Sequence, residues 1–551
     1  MRSRTTILIL GAAQFVMVLD TTVMNVSISE VVDDLDTTVP DVQLAITAYA
    51  LVMAAFMLTG AKLGDMYGRR RIFAIGLGVY GTGSLVTALS PSVEVLLVGW
   101  SFVEGIGAVM VIPAIAALTA ANYSGKERAM AYGMLGGIAG AGVAAGPLIG
   151  GFITTVLTWR VVFAAETVIV VAILIFGVRR ILPGPSVERE KLDVVGAALS
   201  AIGLGLVVFG ILKSSEWGLF KPSGALEIGG QEITPFGISA VPFVIAAGVL
   251  FLWLFRSWEQ RVIARGRQPL LRPDLMKIPQ LRGGLSMFVS SYLLMAGTFF
   301  VLPLYLQLVI GDNTLETGIK ILPVSVTMMI AAIAGSRVAD RISPRKIVRI
   351  GLLLLFVGLI GTMSTISPEL NDAAFAVSLA IFGAGIGLIV SQLGNVVMSS
   401  VGENRASEAG GLQGAAQSLG SSLGTALIGA VLLAGLTTGL HDSIRADSSI
   451  PPDVQEAIVT GTDQGVPMVS SETAEQLATE AGLPAAQVAT VVDHYEDSQI
   501  DALKRSFLAA SFFALFAFWI AGDLPRAPLG ATGSHDRARP PDAAQTIGAS
   551  S

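Results

Sequence analysis

Apolar runs of about 20 residues alternate along this chain with short charged or Gly/Pro-bearing stretches. A helix rising about 1.5 Å per residue needs roughly 20 mostly apolar residues to cross the hydrocarbon of a bilayer. Runs of that kind at 5–27, 43–63, 72–90, 94–119, 129–154, 160–178, 194–212, 239–255, 284–309, 319–338, 347–365, 373–397, 409–436 and 506–522 predict fourteen spanning helices. Their edges are least sharp over 200–256, where Gly and Pro interrupt the pattern. The first run follows Arg2 and Arg4, as a cleavable leader would, but it is long enough to span and carries Asp20-Thr21-Thr22 inside it. It is therefore expected to stay as span 1.

The charges between the runs test this count. With a cytoplasmic N-terminus, Lys62/Arg69/Arg70/Arg71, Lys126/Arg128, Arg179 to Lys191, Arg256 to Arg282 and Arg337 to Arg349 all fall inside, as the positive-inside rule expects. Most of the acids fall outside. One span too many or too few would invert every later loop. Trp159, Trp217, Trp253, Trp258 and Trp519 sit near span ends, where interfacial anchors are expected.

Composition then removes the soluble alternative. The chain is 53% hydrophobic and 14% charged with mean hydropathy +0.70, against roughly 25% charge in soluble domains. There is no cysteine and there are three histidines, so a disulfide-braced loop and a Cys- or His-rich metal centre are not expected. The net charge of −6 has meaning only once it is divided between the two faces.

The second half echoes the first. GAKLGDMYGRRR at 60–71 aligns with GSRVADRISPRK at 335–346, so Gly60, Asp65 and Arg70 match Gly335, Asp340 and Arg345. Gly105-Ile106-Gly107 likewise matches Gly385-Ile386-Gly387. The expected fold is an all-α membrane protein: two six-helix pseudo-symmetric bundles plus two inserted helices. The first bundle covers 1–180, and an inserted pair (spans 7 and 8) with a cytoplasmic loop covers 181–282. Spans 9–13 cover 283–437, an external acidic helical segment covers 438–503, span 14 covers 504–524 and a disordered cytoplasmic tail covers 525–551. The external segment has one Arg (Arg445), no Lys and helical patterns after Pro451-Pro452, over Ser471 to Ala481 and from Pro484 to about Asp501. A lid over the external mouth and a solvated tether are equal readings of it.

The stretch at 60–71 carries the first chemistry. Gly60 and Gly64 permit close helix contact, and Gly68 permits a tight turn of positive φ. Asp65 is a carboxylate at the membrane boundary beside Arg69 and Arg70, able to pair in one conformation and release in another. The string resembles the major facilitator signature G-x-L-x-D-x-x-G-R-[KR]-x, with Lys62 at the free position. LDTTVMNV at 19–26, which contains Asn25, resembles the span 1 element of fourteen-span drug:proton antiporters. GGIAGAGVAAGPLIGG at 136–151 resembles the antiporter signature G-x-x-x-G-P-x-x-G-G of span 5, here Gly142, Gly146, Pro147, Gly150 and Gly151. Trp159-Arg160 and Asp193-x-x-Gly196 fit the same family. The resemblance covers about 5–436 and the last span, and it implies proton-coupled antiport of small molecules by alternating access. It departs in span 4, where the family's R-x-x-Q-G-x-G reads Ser101-Phe102-Val103-Glu104-Gly105-Ile106-Gly107, and in span 6, where Glu166 stands for a frequent Asn. The Arg that the family implicates in proton coupling is therefore absent from that position.

Three acids remain inside spans: Asp20, Glu104 and Glu166. Placing Asp at a helix centre costs roughly 2.5–3.5 kcal/mol on insertion scales, and such residues usually face the bundle interior. Each lies roughly 10–17 Å below the external surface at about 1.5 Å per residue. They are the proton-coupling candidates, with a private hydrogen bond for each as the alternative. In the second half, Gln307, Gln392, Asn395, Gln413 and Gln417 with Met295, Met328, Met329 and Phe299 make a softer candidate lining, and ordinary helix–helix bonding explains them equally well.

No G-x-x-x-x-G-K-[ST] phosphate loop and no catalytic constellation is visible, so neither an enzyme nor an ATP-driven pump is expected. No cofactor, metal or nucleic acid is expected. The expected partners are a small hydrophobic or amphipathic substrate, protons and membrane lipids, for a monomer in a bacterial inner membrane with both termini cytoplasmic. Export or flipping of lipids or lipid precursors, and a non-transporting sensor, are the alternatives.

Overall fold

The computed structural model describes residues 2–37, 39–182, 192–220, 222, 226–228, 231–339, 341–401, 405–462 and 465–527. Among them, fourteen helices are long and apolar enough to cross a membrane. Most begin and end within a few residues of the apolar runs. The helices of spans 13 and 14 run well past theirs, over Ala406–Ala446 and Ala485–Ile520. No Gly or Pro interrupts 485–520, so the polar turns from Gln487 to Lys504 continue the apolar ones as a single helix. Among the described residues the one strand pairing lies between spans 7 and 8, where Leu226–Ile228 pairs antiparallel with Gln231–Ile233. Nothing in the helical periodicity signals it.

Helices buried in lipid gain little from hiding apolar surface from one another, so close backbone approach must hold them together. Glycine provides it. A Cβ on Gly83 of span 3 would stand 2.5 Å from Glu104 N of span 4, and one on Gly358 of span 11 would stand 2.5 Å from Phe382 N of span 12. A Cβ on Gly76 would stand 3.1 Å from Gly107 O, and one on Gly351 would stand 2.8 Å from Gly385 O. These contacts repeat in both bundles and correct one detail of the sequence repeat. Gly105 and Gly107 correspond in space to Gly383 and Gly385, not to Gly385 and Gly387. Gly105 packs on Val52 of span 2 as Gly383 packs on Thr327 of span 10. The offset at spans 4 and 12 still exceeds that at spans 2 and 10, and the connection Ile366 to Asn371 between spans 11 and 12 is longer than Leu89 to Ser92 between spans 3 and 4.

The described glycine contacts between the bundles lie on the face that carries Arg69 to Arg71, here termed the basic face. A Cβ on Gly136 of span 5 would stand 2.5 Å from Val390 of span 12. Gly133 and Gly140 meet Ser336 and Met328 of span 10, while Gly411 and Gly414 of span 13 meet Ala61 and Met57 of span 2. Toward the opposite, acidic face, span 5 instead packs on span 1 of its own bundle, through Gly142 on Val18 and Gly150 on Val23. The bundles are thus joined along the basic half.

Beyond the acidic ends of spans 13 and 14, short helices Pro452–Gly461 and Ser471–Glu480 pack on the extended pair. Tyr495 donates to Pro467 O at 2.9 Å and accepts from Val469 N at 2.8 Å. His494 meets Asp447 at 2.9 Å and His441 meets Thr462 at 2.8 Å. The segment is folded against the outer ends of these two helices. Of the expected tail, 528–551 lie outside the described residues.

Two predictions follow from packing and charge. Gly358→Val should lower the melting temperature of the purified protein, by overpacking worth about 1–3 kcal/mol. Gly64→Ala should not lower it, because a Cβ there meets nothing within 4 Å; equal melting for both variants would contradict the packing. At the outer segment, Ser449 and His494 hold the Asp447 carboxyl down at about 2, against an ordinary value of 3.8. A depressed carboxyl contributes stability above its unfolded pKa and loses it as pH falls through the folded one. Asp447→Asn should therefore speed amide exchange across 438–503 at pH 6. The gap to wild type should close between pH 4 and pH 2.

Candidate functional site

Span 4 is not a regular helix. Val93–Leu96 leads into a π-helical stretch, Leu97–Glu104, before regular α-helix resumes at Gly105–Asn122. Such widened turns recur at functional sites. Here the stretch ends on Glu104 and turns Trp100 and Glu104 inward, both at most 1% exposed. Because Gly83 has no side chain, the Glu104 backbone can sit directly against span 3.

Span 1 brings Asp20 to the same place and span 6 brings Glu166. One carboxylate oxygen from each of Asp20, Glu104 and Glu166 lies within 4.8 Å of the others, and all three residues are buried. Trp100 Nε1 donates to Asp20 Oδ1 at 2.8 Å, and its ring stacks on Tyr49 of span 2 with centroids 4.8 Å apart. Tyr80 and Ser84 of span 3 each donate a hydroxyl to Glu166 Oε2 at 3.3 Å. Asp20 Oδ2, Glu166 Oε1 and both Glu104 oxygens are buried without a hydrogen-bond partner among the described residues. Buried polar atoms are normally satisfied, so these four stand out.

The head of span 6 is pinned from outside. Asp34, on the short helix Ile28–Leu35 that follows span 1, pairs with Arg160 and accepts from Trp159 Nε1 at 3.0 Å. Arg160 also donates to Ser90 O at 2.6 Å. Trp159 is 1% exposed, a buried clamp rather than the interfacial anchor its position suggested. The clamp ties span 6, and with it Glu166, to spans 1 and 3.

Three negative charges in this space would repel strongly in a low dielectric, and no Lys or Arg forms an ion pair with them among the described residues. By distance alone, the same oxygens are close enough together to share a metal ion.

The other candidates distribute as follows. Asp65 pairs with Arg69 at 3.2 Å, and Arg70 donates to Ile181 O at 3.1 Å. Gly68 turns with φ +95° and Gly60 lies against Val109 O of span 4, but a side chain on Gly64 would meet nothing. The close contact expected at Gly64 is therefore not made in this conformation. Arg345 lies near Gly522 and the end of span 14; Asp340 is outside the described residues. Gly146 is filled by Thr22 of span 1, Gly151 is buried, and the helix Gly125–Val156 continues unbroken through position 147. The side chains of Pro147 and Asn25 are outside the described set.

In the second bundle, Gln392 is spent on Gly335 O at 3.0 Å and Ser391 Oγ at 2.9 Å, and Met328 packs on Gly140. Asn395 is buried; Gln307, Gln413, Gln417, Met295 and Phe299 are half-buried. Sequence reasoning passed over Trp100, Tyr49, Tyr80 and Ser84. One signal was present: Trp100 is the Trp not placed near a span end.

Trp100→Phe keeps a ring on Tyr49 and removes only the N–H given to Asp20, a bond to a carboxylate worth about 1.5–3 kcal/mol. It should leave expression intact and cut transport about tenfold; wild-type rates would show that Asp20 does not depend on this bond.

The family model described as Major Facilitator Superfamily matches residues 10–425. The "Probable actinorhodin transporter" of Streptomyces coelicolor is 29% identical over 416 residues, 74% of this chain and 68% of that protein. The multidrug resistance protein Stp of Mycobacterium tuberculosis is 26% identical over 74% of this chain and 72% of its own length. The tetracenomycin C resistance and export protein of Streptomyces glaucescens is 27% identical over 75% and 72%. Among solved structures, the human organic anion transporter MFSD10 superposes with TM-score 0.53 at 13% identity, covering 94% of this chain and 99% of its own. The proton:xylose symporter XylE superposes with TM-score 0.53 at 11% identity, covering 77% and 87%. At those identities the two structures share the fold alone.

Proposed function

This chain belongs to the Major Facilitator Superfamily, and from that premise we propose that it is a secondary active exporter of hydrophobic or amphipathic small molecules, driven by proton antiport. The names of its relatives, which include antibiotic export and multidrug resistance proteins, support export of small molecules. The observation that carries proton coupling is the buried cluster of Asp20, Glu104 and Glu166, whose oxygens converge without a basic partner. It replaces the span 4 Arg that the family's antiporters use.

Alternating access supplies the cycle. The bundles meet along the basic half, which corresponds to a conformation closed on that face. With the basic face cytoplasmic in a bacterial inner membrane, this is the state that releases substrate outward and takes up protons. The return requires spans 2 and 13, and spans 5 and 10, to part on the basic face while the protons leave inward. Asp65 at the end of span 2 and Arg69 at the start of span 3 sit where that parting takes place. The protein acts as a monomer, since each bundle contributes its half of one pathway.

The test is a panel of dyes and lipids loaded into proteoliposomes with an imposed pH gradient. Wild type should move at least one amphipathic dye, with proton counterflow. Asp20→Asn should abolish gradient-driven movement while binding of that dye persists. Glu104→Gln should fold normally, because it restores the family's usual residue, and should shift the pH dependence of transport. Gradient-independent transport by all three proteins would overturn proton coupling, and movement of lipid alone would redirect the substrate class.

A further inference from the structure

Scarce Cys and His set aside a soft-metal centre, but hard cations take oxygen ligands, and the first bundle gathers oxygen at one buried point. Asp20, Glu104 and Glu166 come from spans 1, 4 and 6 and are at most 1% exposed. One carboxylate oxygen of each lies within 4.8 Å of the others. Ca²⁺ is held by oxygens at about 2.3–2.6 Å, so two ligands across it stand about 4.6–5.2 Å apart. The three helices therefore admit an ion of that size as they stand. Mg²⁺ demands a tighter octahedron and keeps several of its waters, and a cluster this closed has little room for a water shell.

Glu104 points to a ligand rather than to bonding among neighbours. It is completely buried, and neither of its oxygens has a hydrogen-bond partner among the described residues. Asp20 Oδ2 and Glu166 Oε1 are buried without one as well. The other two oxygens are anchored. Trp100 Nε1 donates to Asp20 Oδ1 at 2.8 Å, and the Tyr80 and Ser84 hydroxyls donate to Glu166 Oε2 at 3.3 Å. Outer partners orient ligating carboxylates in this way, holding one oxygen and leaving the other open. The approach from the acidic face carries the matching charge. Between Arg4 and Lys62, and again between Arg71 and Lys126, the chain has no Lys or Arg. The acidic-face connections of spans 1 to 4 carry Glu30, Asp33, Asp34, Asp36, Asp41 and Glu94 instead. A rim of one sign raises the local concentration of the opposite ion.

We propose that Asp20, Glu104 and Glu166 form a binding site for a divalent cation of calcium size, entered from the acidic face. Charge favours a divalent over a monovalent ion. No Lys or Arg pairs with the three carboxylates among the described residues, so a divalent ion leaves one negative charge uncompensated and a monovalent ion leaves two. The bound ion ties spans 1, 4 and 6 together and occupies the oxygens that protons would use. Ca²⁺ on the acidic face should therefore slow proton-driven export, and Mg²⁺ should not. This deepens the reading of the same cluster as the proton-coupling site. It rests on that reading only for the effect on transport, since binding itself stands on the geometry.

The test uses the purified full chain, stripped with a chelator, and radioactive Ca²⁺ in equilibrium dialysis with Mg²⁺ in excess to cover exposed acids. Wild type should retain one Ca²⁺ per chain, and Ca²⁺ should raise its melting temperature, as a ligand of the folded state does. Glu104→Gln and Glu166→Gln keep the side-chain shape and remove a charged ligand. Each should abolish retention and the melting shift, and melting without Ca²⁺ checks that they fold. Trp100→Phe should weaken binding about tenfold, as loss of an outer partner does. Glu456→Gln removes an exposed acid of the outer segment and should bind as wild type does. No retained Ca²⁺ in a wild type that moves dye under a pH gradient would overturn the ion site and leave proton antiport standing. Retention left intact by both Glu104→Gln and Glu166→Gln would overturn the site as well. Ca²⁺ retained by wild type and lost in both variants, in a protein that no pH gradient drives, would uphold the ion site and overturn the antiport.

Discussion

Close approach of helix backbones through glycine is the constraint on which this structure depends. In hydrocarbon, an apolar side chain is as well solvated by lipid as by another helix, so the drive that packs soluble cores is largely missing. What remains is dispersion across surfaces that fit, and glycine lets two helices approach until backbone meets backbone. The same contacts set the position of everything else. Gly83 lets Glu104 sit against span 3, Gly76 and Gly107 fix span 4 beside it, and their counterparts Gly351, Gly358 and Gly385 build the second bundle in the same way. The 5–10 and 2–13 seams use glycine again, but only along the basic half. One kind of contact thus forms both the core within each bundle and the seam between them.

Against that apolar frame the polar groups are few and grouped by task. The Asp20–Glu104–Glu166 cluster lies wholly within the first bundle, with aromatic and hydroxyl donors from spans 2, 3 and 4 around it. The Asp34–Arg160–Trp159 clamp secures its acidic-face side. On the basic face, Asp65 pairs with Arg69 at the turn between spans 2 and 3, and Glu259 and Glu408 accept from the Leu270 and Arg272 amides. A buried carboxyl is costly unless bonded or protonated, so changing protonation in the cluster changes what the first bundle must accommodate. Spans 2 and 4 run from Tyr49 and Trp100 beside the cluster to Ala61 and Pro113, which meet Gly411 and Gly410 of span 13.

The number and placement of the spans were legible because a bilayer imposes a length on every crossing and hydropathy records that length directly. The two-bundle plan was legible because GAKLGDMYGRRR and GSRVADRISPRK repeat a boundary element. The acids were legible as candidates because Asp20, Glu104 and Glu166 are expensive where they stand. The missed partners had no such mark. Trp100, Tyr49 and Tyr80 are ordinary residues for a spanning helix, and only the π-helical stretch in span 4 directs Trp100 at Asp20.

By itself, then, the sequence determined how many times the chain crosses, which face is basic, that the halves repeat, and that three carboxyls lie inside the membrane. These are properties of length, charge and cost, summed residue by residue along one strand. Tertiary structure decided the rest. It gathered the carboxyls of three separate helices to within 4.8 Å, set the span 12 glycines two positions away from their linear alignment and closed the seam on one face only. It also brought Glu259 and Glu408 to the backbone amides of Leu270 and Arg272. Each of these depends on how helices distant in sequence rotate and slide against one another. That freedom is fixed by the fit of small and large side chains across an interface, which no single stretch of sequence contains.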